Sequence, residues 1–399
     1  MSSAAPTIVL KPRKALPFFS RHPWVFEGAI AHGEGEAAPG QMVRVVSHER
    51  KFIAWGLWNP TSRICVRLYS WDEGQPLDEA FWRRQIQAAV AMRREVFAGG
   101  DPERACRVIF SEADGLSGMT VDRYGDWLLV QWTSLALAQR EEMLLRILNE
   151  ELKPRGIWRR TEKGMAEAEG LEIRDGLAMG EEPPRPIVIT ENELQFAVDV
   201  VEGQKTGFYY DQRDNRRAAA GYVRGGRVLD TFCYSGGFGL AALKHGGAKE
   251  VVAVDTSAAA LELARRNAEL NGLADRMRFV HEDVYKQLEV LRDAGEQFDL
   301  VILDPPKMTR TRGALERAMR GYHSLNKLGL SVLKPGGILV TCSCSGLVDR
   351  TMFEEMLAGV ALDTNRRIQV LEARGPAADH PLALHCPENA YLKCYICRA

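Results

Sequence analysis

Residues 227 to 345 constrain this chain most. Five short apolar runs follow one another there, and each ends in a glycine turn, an acid or a cysteine pair. The first, Arg227-Val-Leu-Asp-Thr-Phe232, is short and mostly apolar, which is the pattern of a buried strand. It leads through Asp230, Phe232 and Ser235 into Gly236-Gly-Phe-Gly239, and Phe238 to Lys244 then reads as a helix. Gly236, Gly237 and Gly239 let the backbone turn sharply and let a ligand lie against it without a Cβ clash. The helix behind them offers unpaired N–H groups. The spacing Gly-x-Gly-x-x-Gly is absent, so this is a nucleotide-type cradle without the dinucleotide fingerprint.

The next runs repeat the theme. Val251-Val-Ala-Val-Asp255 ends in an acid of the kind that accepts hydrogen bonds from ribose hydroxyls. Ser257 caps a helix that Asn271-Gly272 stops. Arg278-Phe-Val280 precedes Asp283 and Val284, and Phe298-Asp-Leu-Val-Ile-Leu303 empties into Asp304-Pro-Pro-Lys307. A helical stretch bearing Tyr322, Leu325 and Leu328 reaches Lys334-Pro-Gly-Gly337. The strand Ile338-Leu-Val-Thr341 then ends in Cys342-Ser-Cys-Ser345. Ligands in open α/β sheets bind at the carboxyl ends of the strands, so these residues are expected to share one cleft in a Rossmann-like domain over residues 191–399.

Upstream, residues 41–46, 52–57 and 64–69 read as short strands punctuated by Pro39-Gly40 and Asn59-Pro60, which predicts a small β-barrel domain over residues 1–72. Residues 73–190 alternate helical and strand patterns, which predicts a central α+β domain. Net charge is −1, but residues 1 to 71 carry nine Lys/Arg and four Glu, a local excess of +5 that leaves −6 for the rest. A basic module on an acidic chain suits a nucleic-acid surface. No apolar stretch approaches the ~20 residues that span a bilayer, and residues 1–6 lack a signal-peptide core. Eight cysteines in that setting read as reduced thiols, so a cytoplasmic location without membrane partners is expected. Cys394-x-x-Cys397 does not read as a metal site, because residues three apart on a strand face opposite ways and no second such pair exists.

The order of glycine turn, ribose-side acid, adenine-side acid, Asp-Pro-Pro and Pro-Gly-Gly strand resembles class I S-adenosylmethionine (SAM)-dependent methyltransferases. The cysteine-bearing last motif narrows the likeness to RNA 5-methylcytosine methyltransferases. Residues 52–67, 111–124 and 203–213 extend it over nearly the whole chain to the RlmI-like family of 23S rRNA cytosine-C5 methyltransferases. The resemblance implies SAM as cofactor, held by Asp230, Phe232, Ser235, Gly236, Gly237 and Asp304. Asp255 and Ser257 then serve the ribose, and Asp283 and Val284 the adenine. It implies that Gly203 to Arg213 close over SAM, with Lys205 facing its carboxylate, Phe208 against its apolar part, and Gln212 and Arg213 at its amino-acid end. A helix bearing Arg213, Arg216 and Arg217 toward RNA is the other reading of that segment. The resemblance also implies 23S rRNA as partner, a homodimer, and an RNA-binding PUA (pseudouridine synthase and archaeosine transglycosylase) domain at the N-terminus. Lys11, Arg13, Lys14, Arg21, Arg63 and Arg67 are its candidate phosphate contacts. Trp24 and Phe26 are expected in the core rather than stacked on bases.

Cytosine C5 is a poor nucleophile. A thiolate added at C6 makes the ring enamine-like, C5 takes the methyl, a base removes the C5 proton, and elimination frees the cysteine. Asp304 is the candidate hydrogen-bonding partner of N3 and the amine. Matching the letters Thr-Cys-Ser selects Cys342 as nucleophile, whereas counting from Gly336-Gly337 selects Cys344. In a continuing strand both face the same way, and Cys344, further beyond the strand and nearer the mouth of the cleft, is the expected nucleophile. Lys307 stands where many such enzymes carry a second cysteine, so release of the product needs another base, Lys307 itself or water. An amino-group methyltransferase and a non-catalytic RNA-binding protein on a relic fold are the rival readings.

Overall fold

A computed structural model of the chain describes residues 5–98, 104–201 and 207–399. Its contacts divide into two compact units. The first comprises residues up to Ile187 with Val198–Phe208 and Asp379–Asn389, and the second Val188–Ala197, Tyr209–Ala378 and Ala390–Ala399.

In the first unit, residues 7–70 build a six-stranded sheet in which only Thr7–Leu10 and Met42–Val46 pair in parallel. Alternation sets its faces: Val43 and Val45 are buried with Val25, Val66 and Leu68, while Arg44 points outward to Glu73. A five-stranded sheet follows, ordered Gly176–Gly180, Gly156–Arg160, Trp127–Trp132, Met119–Tyr124, Ala105–Phe110. The helices Glu79–Phe97 and Glu141–Leu152 supply Trp82, Ile86, Leu144 and Leu148 to its core, which Leu57 and Tyr69 also enter. Asp78 starts the first of these helices by accepting the Phe81 N–H.

The second unit holds a seven-stranded sheet: β1 Arg227–Thr231, β2 Glu250–Asp255, β3 Met277–His281, β4 Phe298–Leu303, β5 Leu333–Ser343, β6 Gln369–Arg374 and β7 Lys393–Arg398. The order is β3-β2-β1-β4-β5-β7-β6, and β7 runs antiparallel to both of its neighbours. Strand order reverses between β1 and β4, which opens a crevice at their carboxyl ends. Leu229, Val252, Val301 and Leu339 fill the sheet face against Tyr322, Leu325 and Phe353 of the helices Leu315–Ser331 and Arg350–Thr364. Each such apolar side chain contributes roughly 1.5–3 kcal/mol when fully buried.

The strands expected over 227–232, 251–255, 278–280 and 298–303 are present within a residue or two. The fifth differs. Leu333 pairs with Phe298 and Ile338 with Leu300, so Lys334-Pro-Gly-Gly337 bulges out of a strand that starts five residues earlier than the sequence suggests. Gly336, at φ 74°, carries that bulge.

Candidate active site

The loop between β1 and the helix Gly237–His245 is shaped by positive φ at Phe232 (54°), Tyr234 (47°) and Gly236 (75°). Asp255, at the end of β2, fixes it. One carboxylate oxygen accepts the Tyr234 N–H at 3.0 Å and the other the Ser257 N–H at 2.9 Å. Asp230 is buried on β1 and accepts the Gly239 N–H at 2.8 Å. Burial, reinforced by the nearby Asp304 and Asp255 carboxylates, pushes its carboxyl up to about 7. The glycines are also hemmed in by protein neighbours. A Cβ at Gly237 would stand 2.8 Å from Cδ of Arg216, and one at Gly239 2.8 Å from Cγ1 of Val251. Ser235 is buried, and its carbonyl accepts the Asn267 side-chain N–H at 3.0 Å.

Beyond β3, Asp283 is exposed and caps the helix Val284–Asp293 by accepting the Lys286 N–H, while Val284 is buried. Next to it opens a cleft of roughly 320 Å³ lined by Phe232, Tyr285, Pro305, Pro306, Lys307 and Met308. Its walls are mostly apolar and include two aromatic rings, which suits the flat face of an adenine. Asp255 and Asp230 stand on the neighbouring strands β2 and β1. The residues therefore fit SAM: apolar walls for its base, and carboxyl groups for its hydroxyl and cationic ends.

At the end of β4, half-buried Asp304 accepts the Gln212 side-chain N–H at 3.0 Å, and Gln212 in turn accepts from Asn215 at 2.6 Å. The half-buried Tyr209 packs edge-on against Tyr234, with ring centroids 5.3 Å apart. Burial and then the Tyr234, Asp211, Asp304 and Cys344 groups raise its phenol, so Tyr209 faces the same charges. Lys307 is exposed on the loop that follows.

The two cysteines separate here. β5 ends at Ser343, so the same-face argument stops between them. Cys342 is fully buried opposite Cys394 of β7, and the Cys394 thiol together with burial pushes its own thiol far up. Cys344 lies past the strand end, half-buried, with Sγ 4.0 Å from the Pro305 carbonyl. The seven other cysteines are buried. Three hydroxyls lock the turn around Cys344. Ser343 Oγ donates to the Tyr322 hydroxyl at 3.0 Å, that hydroxyl meets Ser345 Oγ at 3.0 Å, and Ser345 Oγ accepts the Met308 N–H at 3.2 Å. The thiol loop and the Asp304 loop are thereby tied together.

Several expectations are corrected. Arg67 is not presented to a phosphate. It is 5% exposed and paired inside the first unit with Glu169 at 2.9 Å and Glu112 at 3.4 Å. Arg213 is likewise buried, 3.7 Å from Glu191 and over the Tyr210 ring, which overturns the RNA-facing reading of that segment. Arg216 holds both oxygens of Glu191 at 2.7 Å, which removes it from any RNA-facing role as well. Gln212, engaged by Asp304 and Asn215, and buried Phe208 are not among these corrections, since neither arrangement bears against the cofactor-side places expected of them. Phe26 is 45% exposed rather than in the core, while Trp24 is half-buried and donates to Glu112 at 3.0 Å. Lys11, Arg13, Lys14, Arg21 and Arg63 are exposed. Lys205 lies outside the described residues.

Sequence reading gave no functional role to Tyr209, Tyr322 and exposed Phe19. It also missed the group His22, Cys386 and Glu388, whose ligand-type atoms lie within 4.8 Å of one another. There His22 Nδ1 accepts the Trp24 N–H, so the ring proton sits on Nε2 and faces Glu388 at 3.3 Å, as a hydrogen bond rather than as a metal ligand. Among the described residues no helix is long and apolar enough to cross a membrane.

Known proteins match this geometry. A family model for S-adenosylmethionine-dependent methyltransferases matches residues 175–369, and one for PUA-like domains matches residues 8–71. Ribosomal RNA large subunit methyltransferase I of Erwinia tasmaniensis is 41% identical over 98% of this chain and 98% of its own. The enzyme of that name from Photobacterium profundum is 44% identical over 94% and 95%. Among solved structures, a methyltransferase complexed with SAH superposes with a TM-score of 0.85 at 20% identity, covering 98% of this chain and 100% of that one. A SAM-dependent methyltransferase from Streptococcus mutans gives 0.84 at 19% identity over 98% and 100%. These two likenesses show the fold. With identity near 40% over almost its full length, the chain belongs to the family of ribosomal RNA large subunit methyltransferase I, SAM-dependent enzymes with a PUA-like N-terminal domain.

Proposed function

We propose that this protein methylates C5 of a cytosine in 23S rRNA through a covalent adduct between Cys344 and C6. The observation that carries the reading is the contrast between the cysteines: Cys344 is half-buried beside the Asp304-Pro-Pro turn, and Cys342 is sealed against Cys394. SAM supplies the methyl group. Asp230, Phe232, Ser235, Gly236, Gly237, Asp255 and Ser257 hold it, with Asp283 and Val284 bounding the adenine end.

The Cys344 thiolate adds to C6, and the ring's electrons then reach C5 for methylation. The C5 proton leaves to a base, and the C6–S bond breaks to return the thiolate. Asp304 donates to or accepts from the N3 edge of the attacked ring, oriented for that by Gln212. Lys307, exposed at the cleft, and water remain the acceptors for the proton. Lys11, Arg13, Lys14, Arg21 and Arg63, all exposed, grip RNA phosphates, and the exposed rings of Phe19 and Phe26 among them offer faces for bases. A cytoplasmic setting agrees with that substrate.

The test compares wild type, Cys344→Ala and Cys342→Ala on 23S rRNA fragments with SAM. 5-Methylcytosine is scored by mass spectrometry, and adducts are trapped on RNA carrying 5-fluorocytosine. Cys344→Ala should lose product and adduct, and Cys342→Ala should keep both. If Cys344→Ala still methylates and no adduct forms with wild type, amino-group methylation replaces this scheme.

A further inference from the structure

Lys393 opens β7, and the scheme above gives it nothing to do. A lysine at a strand end is ordinarily solvated, yet this one is 2% exposed. In the β5–β7 register it stands opposite Ser343. Its Nζ donates to the Ser345 carbonyl at 2.8 Å and to the Tyr391 carbonyl at 2.7 Å. Ser343 and Ser345 bracket Cys344, so the ammonium lies beneath the turn that presents the thiol.

Both hydrogen-bond acceptors are neutral. A buried ammonium needs a compensating negative charge, or it gives up its proton. The charged groups facing it are Cys344 on the turn, Arg350 and Asp349 at the start of the helix Arg350–Thr364, and Lys307 on the loop after β4. Two of these are cations. Asp349 already caps its helix by accepting the Met352 N–H at 2.8 Å. Of these, Cys344, in its thiolate form, is the strongest favourable neighbour. Burial lowers the lysine to about 8, which leaves it charged at neutral pH.

We infer that Lys393 is a positioning residue for methyl transfer: it anchors the 343–345 turn through Ser345 and supplies the buried positive charge that favours Cys344 as the thiolate. The inference rests on Cys344 being the nucleophile. A cation beside a thiol raises its thiolate fraction at neutral pH, and the thiolate is the form that attacks.

The test is the pH dependence of Cys344 alkylation by iodoacetamide on the full chain without RNA, read by peptide mass spectrometry. The other cysteines are buried, so the modified peptide reports on this thiol. In wild type the rate should be half-maximal below the ~8.5 of a free thiol. Lys393→Met should move that midpoint up by about one pH unit, slowing alkylation at pH 7 about tenfold. Lys393→Arg, which keeps the charge, should recover most of the difference. A wild-type midpoint at or above ~8.5 overturns the inference without any variant having to fold. So does a Lys393→Met profile that superimposes on wild type while SAM binding is intact. The readout needs no turnover. Methylation surviving in Cys344→Ala would sink the covalent scheme, and with it the catalytic role, whatever the alkylation profile. Loss of product in Cys344→Ala together with an unshifted Lys393→Met profile would sink the Lys393 role alone.

Discussion

Asp230 stands on β1 with burial and two neighbouring carboxylates set against its charge, and the Gly239 N–H is the hydrogen bond in its favour. A carboxyl group whose folded pKa exceeds its unfolded one holds more protons folded than unfolded. Stability therefore falls as pH rises from the ordinary 3.8 to about 7, and the loss is complete above that. The gap corresponds to roughly 4 kcal/mol. Asp230→Asn keeps an acceptor for Gly239 and carries no charge. Urea melts from pH 4 to pH 8 should show the variant gaining on wild type across this window, and parallel profiles would refute the assignment. The same scale explains what sequence could not show. Arg67 read as a surface cation, and Arg213 as a cofactor-side or RNA-facing one, because the partners that bury them, Glu112 and Glu169 for one and Glu191 for the other, lie far away in the chain or on another element. The place of Asp255 at the end of β2 was legible because an acid that closes an apolar run marks the strand end.

Among the elements, the turn after β5 and the loop after β4 act as one piece through the Tyr322, Ser343 and Ser345 hydroxyls. Tyr322→Phe removes the shared hydroxyl and leaves two buried serines short of a partner, a cost of about 1–3 kcal/mol. Loosening by that amount should lower the methylation rate on the order of tenfold. SAM affinity should hold, because no cofactor residue is touched. Single-turnover methylation and calorimetric SAM binding separate these effects, and equal losses in both would assign Tyr322 to general stability instead. The succession of strands along the chain and the acids at their ends were readable because apolar runs bounded by glycine, proline or aspartate have one common interpretation. The choice between Cys342 and Cys344 was not, since it turns on where β5 stops, and the Lys334-Pro-Gly-Gly337 bulge disguises where it starts. The glycine turn was recognised, but the close packing of Gly237 on Arg216 and of Gly239 on Val251 is seen only in the folded chain.

For the molecule as a whole, the charge is nearly balanced but unevenly spread, with +5 on residues 1 to 71 and −6 on the remainder. With Arg67 neutralised inside, the exposed cations Lys11, Arg13, Lys14 and Arg21 are left around Leu16, Phe19 and Phe26, apolar side chains that are 74%, 47% and 45% exposed. Cations interleaved with exposed rings suit a flexible polyanion with stackable bases better than a protein core. Each phosphate contact releases counterions, so its contribution appears as salt dependence rather than as sequence preference. Changing Lys11, Arg13, Lys14 and Arg21 together to Gln should reduce the slope of log affinity against log salt by up to about 0.7 per lost contact, for a single-stranded rRNA fragment. SAM affinity and the melting profile should stay at wild-type values, because these side chains are exposed. Filter binding between low and moderate salt measures the slope. An unchanged slope would move the RNA grip off the N-terminal sheet and leave the exposed Lys307, Arg310, Arg312 and Arg317 beside the cleft to carry it.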